Sequence, residues 1–345
     1  REAIRADGIF CAFAREAEND DRRFYGADRF VSHLDATALA TVERIVGALV
    51  TERESAVLDL MASWDSHLPS SLRVGRVVGL GLNERELAAN PALSERVIHD
   101  LNREPRLPFA DAVFDAVLCT VSVDYLTRPV EVFAEVARVL RPGGLFLVIF
   151  SNRFFPPKVV RIWREADEDR RVRLVEEYFA RSGGFTAPRL YVSRGRPRPA
   201  GDRWAGFGVP SDPVVALFAD RLGGPLGTTR ELPESLQKRR SAAPEEPRAR
   251  RRWVAETECC PHCGERLTRW RVPQTPFTQW SSEVQLVCFN DACPYYEGGW
   301  KAFARQGNPG SYRFMYDPDS NTYHPMPVPT PTAYRDGIEA AEERS

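Results

Sequence analysis

Apolar positions along this chain come in two spacings. Short apolar runs of strand length at residues 56–60, 77–80, 97–101, 114–120 and 145–150 alternate with stretches whose apolar residues recur every three or four positions. Strands alternating with amphipathic helices imply crossover connections and a mostly parallel, doubly wound α/β sheet. The clearest unit covers 129–150: Val132, Val136, Val139 and Leu140 form an apolar helix face, and Arg141-Pro142-Gly143-Gly144 ends the helix before a strand. Proline stops a helix, and glycine accepts the positive φ that follows one. A charged amphipathic helix is predicted over 161–181, and closing strands over 189–193 and 214–219. Ahead of the first strand, Phe30, Leu34, Ala38, Val42 and Ile45 recur at helical spacing, so residues 1–50 read as a helical lid.

Composition then divides the rest. Residues 51–225 carry the α/β pattern, whereas 226–254 change to Pro, Ser, Ala, Glu and many Arg without apolar periodicity, a basic flexible linker. Its clusters, Lys238-Arg239-Arg240 and Arg248 with Arg250-Arg251-Arg252, are interleaved with Glu245 and Glu246, which favours a solvated tether. Residues 255–305 hold five of the seven cysteines, and 306–345 read as an extended, proline-punctuated tail. The net charge of −1 neither advertises nor excludes a nucleic-acid partner. No apolar run approaches the roughly 18 to 20 residues of a membrane span. The N-terminal stretch lacks the apolar core of a secretion signal, and its start at Arg1 suggests processing or trimming. Cytoplasm is the expected location.

In an open parallel sheet, ligands sit at the carboxyl ends of the strands, so the residues after each strand are the candidates. These are Asp59 and the loop 61–65, then Gly79-Leu80-Gly81-Leu82-Asn83, His99-Asp100-Leu101, and Thr120 to Tyr125. Two segments, Leu107-Pro-Phe-Ala-Asp-Ala-Val-Phe-Asp-Ala-Val and Glu135-Val-Ala-Arg-Val-Leu-Arg-Pro-Gly-Gly-Leu, resemble the fourth and fifth strands of class I S-adenosylmethionine-dependent methyltransferases. The resemblance covers about residues 25–220 and implies a Rossmann-like sheet that binds S-adenosylmethionine. It places Asp59 at the acid that leads into the cofactor loop, with Met61 and Ser63 on that loop. Leu82 and Asn83 fall near the adenosine, and Asp100 with Leu101 at the adenine amino group. Glycines usual in the loop are replaced by Met61, Ala62, Ser63, Trp64 and Asp65, and Gly81 stands where the family places a ribose-binding acid, a role Asn83 or Glu84 would have to fill. Asp59 as a helix cap, with Met61 and Trp64 in the core, is the plain structural alternative. His33, His67, Asp124 and Tyr125 are candidates for the mouth of the cleft.

Cys260-Pro-His-Cys263-Gly264 and Cys288-Phe-Asn-Asp-Ala-Cys293 are paired knuckles suited to tetrahedral zinc. Cys259 competes with Cys260 for the register, His262 is a further candidate ligand, and two disulfides or free thiols are the alternatives to metal. Residues 268–271 and 284–287 alternate like a ribbon hairpin, and Trp270, Phe277, Trp280, Tyr295, Tyr296 and Trp300 offer it apolar surface. The segment 255–305 resembles the Ogr/Delta-type zinc fingers. That likeness implies a small zinc module; zinc ribbons often bind nucleic acid or protein partners, and Arg266, Arg269, Arg271 and Lys301 are candidates for contacts to phosphates. Two functions follow: methyl transfer from S-adenosylmethionine to an unidentified acceptor that the zinc module recruits, or a non-catalytic adaptor that keeps the methyltransferase scaffold and acts through the zinc module.

Overall fold

The computed structural model describes residues 12–52, 54–224, 230–238, 241–273 and 282–339. Contacts divide the chain into two units, 1–192 with 212–236, and 193–211 with 237–345. Expectations for Arg239, Arg240, Phe277 and Trp280 lie outside the described residues.

In the first unit, helices α1 (Asp21–Tyr25) and α2 (Ala36–Leu49) precede strands β1 (Ser55–Leu60) and β2 (Val74–Gly81). Then come α3 (Glu84–Ala89), β3 (Glu95–Ile98), β4 (Phe114–Thr120), α4 (Pro129–Val139) and β5 (Leu140–Phe150). The short α5 (Arg161–Arg164), α6 (Glu168–Ser182), β6 (Arg189–Ser193) and β7 (Val214–Asp220) complete it. The sheet order is β3-β2-β1-β4-β5-β7-β6, parallel from β3 to β5 with β7 antiparallel to β5. This is a Rossmann-like α/β fold with a mixed sheet.

Central strands are buried on both faces, which is why they read as unbroken apolar runs. Leu145, Leu147 and Ile149 of β5 face α2, together with Leu118 and Phe218. The alternate residues Phe146, Val148 and Phe150 face α4 and α6. The expected lid helix is therefore a layer of the sheet: α2 starts at Ala36, capped by Asp35, and buries Val42, Ile45, Val46 and Leu49. Phe30 lies before it, half exposed.

Several boundaries move for physical reasons. Helix α4 ends at Val139 because Leu140 already pairs with Phe114. Of the two glycines after it, only Gly143 has positive φ, +79°. Gly144 is needed for space, since a Cβ there would lie 2.8 Å from the Arg141 carbonyl. The single helix expected over 161–181 is two, because Asp167 caps α6 through the Arg170 amide at 2.7 Å. The third strand ends at Ile98, which leaves Asp100 and Leu101 in the following loop.

The second unit contains α7 (Pro247–Thr257), β8 (Thr268–Arg271), β9 (Val284–Val287), α8 (Pro294–Arg305), β10 (Ser311–Asp317) and β11 (Thr322–Val328). Its antiparallel sheet runs β11-β10-β9-β8. Two expectations change here. The stretch read as a linker carries α7, started by Glu246 accepting from the Arg248 and Ala249 amides and anchored by fully buried Val254. The stretch read as an extended tail forms the β10–β11 hairpin. Pro325 and Pro327 are tolerated because β11 is an edge strand and both sit on alternate positions of it, where no partner needs their missing N–H. Residues 193–211 also belong with this unit: the Tyr296 hydroxyl donates to the Gly195 carbonyl at 2.7 Å, and Trp300 packs where a Cβ of Gly195 would stand.

Among the described residues no helix is long and apolar enough to cross a membrane.

Phe133 on α4 is fully buried, with Phe146 at 4.8 Å and Phe179 at 5.0 Å between ring centroids. Phe133→Ala should cost about 3–5 kcal/mol, read as a lower urea midpoint at unchanged slope; a loss below about 1 kcal/mol would contradict the packing of this helix layer.

Candidate functional site

The carboxyl ends of β1 to β4 open into a cavity of about 300 Å³, at the small end of the range for ligand sites. Asp59, Met61, Ser63, Leu82, Asn83, Asp100 and Leu101 all line it. Its roof comes from the segment before α2, through Asp21, Tyr25, Arg29 and His33, and its far wall from Arg153, Phe154 and Phe155. The loop 61–65 borders this space without filling it, and the Trp64 indole turns away to the Val31 carbonyl at 3.3 Å.

Backbone conformation explains part of the altered loop. Met61 has φ +61°, and His67 and Val121, which also line the cavity, have φ +53° and +51°. Such left-handed residues cost roughly 1–2 kcal/mol each where the side chain is not glycine. Met61 thus keeps a turn that glycine would form without strain.

The loop and the missing acid at Gly81 are one feature. The Ala62 amide donates to the Leu80 carbonyl at 2.8 Å, and the Ala62 carbonyl lies 2.3 Å from where a Gly81 Cβ would stand. The loop backbone occupies the room that a side chain at 81 would need.

Neither residue proposed as a substitute acid is free to serve. The Asn83 side-chain oxygen caps α3 through the Arg85 and Glu86 amides, and its nitrogen donates to the Tyr25 carbonyl at 3.0 Å. Glu84 is exposed and outside the cavity lining. The carboxylate of α3 that lines the cavity is Glu86, which accepts from the Ser63 hydroxyl at 2.5 Å, the Arg29 amide at 2.7 Å and Asn83. Its signal was available: an Asn cap followed three residues later by Glu is a capping-box spacing.

Asp100 turns one oxygen to the Asn102 and Arg103 amides, at 3.0 and 3.3 Å; its other oxygen has no partner among the described residues. Asn102, unforeseen from the sequence, donates to Asp21 at 2.9 Å and to the Tyr125 carbonyl at 3.0 Å. Asp21 in turn receives Lys158, which has no exposed surface, at 2.8 Å, and Arg15 at 2.7 Å. This cluster fastens the roof to the loop after β3.

Of the candidates for the mouth, His33, His67 and Tyr125 line the cavity and Asp124 does not. Asp124 is buried with one oxygen unpartnered, and burial pushes its carboxyl up to about 8. Burial holds the His33 imidazole below its ordinary range, so it is neutral at neutral pH and able to accept a proton. His67 stands 3.1 Å from Asp65.

In the second unit, the sulfurs of Cys260, Cys263, Cys288 and Cys293 all lie within 4.8 Å of one another and all four residues are buried. Cys260 and Cys293 are 3.9 Å apart and Cys263 and Cys288 3.7 Å, far beyond a disulfide bond. Zinc–sulfur bonds of about 2.3 Å put tetrahedral sulfurs roughly 3.8 Å apart. Gly264 closes the first knuckle at φ +73°. Cys259 turns to the Thr257 carbonyl, and His262 stacks on Tyr295 at 4.2 Å, so neither joins the group. Four buried thiols this close together do not all ionise without a cation, because each thiolate disfavours the next. Arg313, itself buried, holds the second knuckle through the Cys288 carbonyl at 3.2 Å and Asp291 at 2.7 Å.

Burial raises the Asp59 carboxyl to about 7, against the pull of Ser66 and His67. A carboxyl raised on folding contributes most stability below its unfolded pKa, near 4, and loses it as pH rises towards 7. Asp59→Asn should therefore gain on the wild type by up to about 4 kcal/mol between pH 4 and pH 8. Urea midpoints at the two pH values check this, and parallel shifts in both proteins would contradict it.

Part of the chain is similar to known proteins. The family described as "Methyltransferase domain" matches residues 64–148. A probable S-adenosylmethionine-dependent methyltransferase of Mycolicibacterium smegmatis is 37% identical over 78 residues, 23% of this chain and 30% of that protein, so the chain spans under a third of that relative's length. Two solved structures align with 54% of this chain at 16% identity. One, from the complex of the Haloferax volcanii Trm112 methyltransferase activator with a methyltransferase, is covered over 91% of its chain at a TM-score of 0.40. The other, the YcgJ protein of Bacillus subtilis, is covered over 99% at 0.39. Residues 64–148 are thus similar to methyltransferase domains, and 78 residues of the chain are similar to a probable S-adenosylmethionine-dependent methyltransferase.

Proposed function

We propose that the first unit transfers a methyl group from S-adenosylmethionine within the cavity at the strand ends, and that the four cysteines of the second unit hold zinc. One observation carries the first part: Asp59, Asp100 and the loop 61–65 converge on a single open cavity at the carboxyl ends of β1 to β4. The residues present fit the cofactor. Asp100 offers an unpaired carboxylate oxygen to an amino group, Leu82 and Leu101 offer apolar surface, and Asp59 stands at the base of the loop. The cofactor supplies a methyl group on a positively charged sulfur. In-line displacement needs chiefly positioning, and neutral His33 is placed to take a proton from a weakly acidic acceptor.

The sulfur spacing supports zinc, and reduced buried thiols suit a reducing compartment such as the cytoplasm. Exposed Arg248, Arg251 and Arg252 on α7 give this unit a basic surface for a protein or nucleic-acid partner. The closed space at Gly81 favours a second reading, a scaffold that keeps the fold and acts through the cysteine unit alone.

Calorimetric titration of the full chain with S-adenosylmethionine and S-adenosylhomocysteine separates the two. Binding in the micromolar range, weakened about tenfold or more by Asp100→Ala, supports the enzyme; no heat at high micromolar concentration removes it and leaves the scaffold. For the metal, elemental analysis should find one zinc per chain, lost in Cys263→Ser and Cys288→Ser together with stability of the second unit; full-length protein free of zinc yet equally stable would rule out a structural metal.

A further inference from the structure

His33, His67 and His99 all line the cavity, and they differ in how their rings are held. His99 engages the Glu104 carbonyl through Nε2 at 2.8 Å. His33 is exposed, packs edge-on against Phe155 at 5.3 Å between ring centroids, and has no carboxylate within ion-pair distance among the described residues. His67 is held at two points by Asp65. One carboxylate oxygen accepts from the His67 amide at 2.8 Å, and the other faces ring atom Nδ1 at 3.1 Å. The hydrogen bond to His67 keeps the Asp65 carboxyl below its usual range, so it is ionised. A carboxylate only accepts, so in the neutral ring Nδ1 carries the proton and Nε2 the lone pair.

The loop that carries this pair is braced from behind. Asn90, 2% exposed, donates to the Ser63 carbonyl and to the Ser66 hydroxyl, both at 2.9 Å. Ser66 is itself buried and bonds the Asp59 carboxyl at the end of β1. Ser63 donates to Glu86, and the Trp64 indole to the Val31 carbonyl. Among the described residues, the polar ring atom of His67 left without a partner is Nε2. The residue sits at φ +53°, a conformation side chains other than Asn and Asp resist, so the surrounding loop imposes its position. An orienting carboxylate, a set tautomer and a free ring nitrogen in a cavity wall are the parts of a general base. The wall also limits what it would act on. Five carboxyl groups line the cavity against two arginines, and one of those, Arg153, is paired with Asp212 at 2.9 Å. Such a wall repels an anionic acceptor and stabilises an imidazolium. A neutral amine already presents its lone pair and needs no base, so a built base points to an O–H or S–H.

We propose that His67 is the general base of the methyl transfer, positioned by Asp65, and that the acceptor is a small uncharged molecule with a weakly acidic O–H or S–H, a phenol or a thiol. This rests on the methyl-transfer reading and ranks His67 ahead of His33 as the proton acceptor. The O–H or S–H proton passes to Nε2 of His67 while the acceptor's lone pair forms the new bond to the methyl carbon. The carbon–sulfur bond breaks, and its electron pair stays on sulfur. The imidazolium so formed is matched by Asp65 and gives its proton to water once the products leave.

Two readouts on the full chain decide it. NMR of protein labelled with heavy nitrogen at its histidines should show His67 as the Nδ1–H tautomer, a preference that Asp65→Asn weakens; an Nε2–H tautomer in the wild type overturns the proposal. Transfer from tritiated S-adenosylmethionine is then measured to phenol, benzyl mercaptan, benzylamine and benzoate. Phenol or the thiol should react at least about tenfold faster than the amine and the benzoate. The variant His67→Asn tolerates the left-handed backbone but supplies no base. It should lower kcat about a hundredfold or more and abolish the fall in rate at acid pH, with KM and the Kd of S-adenosylhomocysteine within about threefold of wild type. Asp65→Asn should lower kcat about tenfold, and Asp65→Glu should restore part of it. A larger loss in His33→Gln than in His67→Asn, faster transfer to the amine or the benzoate, or no transfer to any of the four overturns the base assignment. In each of those cases, binding of S-adenosylhomocysteine leaves the methyl-transfer reading standing. A wild type that binds no S-adenosylhomocysteine removes that reading, and the base with it.

Discussion

Burying an ammonium ion with no exposed surface costs several kcal/mol unless its charge and all its donors are matched. Lys158 meets that condition only through the segment that roofs the cavity: Asp21 at 2.8 Å, the carbonyls of Ala17 and Asn19, and the Asn19 side chain. Asp21 is matched in turn by Arg15 and by Asn102, which lies in the loop that carries Asp100. The roof, the loop after β3 and the segment before α5 are thereby one electrostatic unit. The sheet supplies a floor for the cavity by apolar burial alone, but the enclosure depends on this charge cluster. Where partners are this interdependent, removal of one leaves the others buried and unmatched.

Period-two and period-3.6 patterns made the fold readable, because both report which side of an element meets the core. Phe114–Thr120 and Arg189–Ser193 fall where the pattern places them. What escaped the pattern was held together by other forces. Helix α7 has a single fully buried residue, Val254, and rests on its Glu246 cap; hydrophobic periodicity has almost nothing to register there. The β10–β11 hairpin contains prolines that count against a strand, and only edge position makes them harmless. The roof was misplaced because Phe30 and Leu34 continue the helical spacing of α2, although Asp35 caps the helix after them.

The site divided along similar lines. Residues at strand ends, such as Asp59 and Asp100, follow from topology and were legible. Arg29, Tyr25 and Asn102 reach the cavity by tertiary contacts across many residues of sequence, and no local spacing announces them. The altered loop and the absent acid looked like two separate departures in the sequence. In space they coincide, since the carbonyl of Ala62 stands where a side chain at 81 would begin. A single backbone path explains both.

The placement of residues 193–211 has a topological consequence. The chain leaves the first unit after 192, returns at 212 and leaves again after 236, so the two units are joined by three separate strands of backbone. No single cut separates them into intact halves. A fragment beginning in the α7 region would lack Gly195, against which Trp300 packs and to which Tyr296 donates. The second unit is thus an interleaved part of one molecule and not an appendage at its end. A history in which it was simply appended to a finished enzyme has to account for the piece of it that lies between β6 and β7.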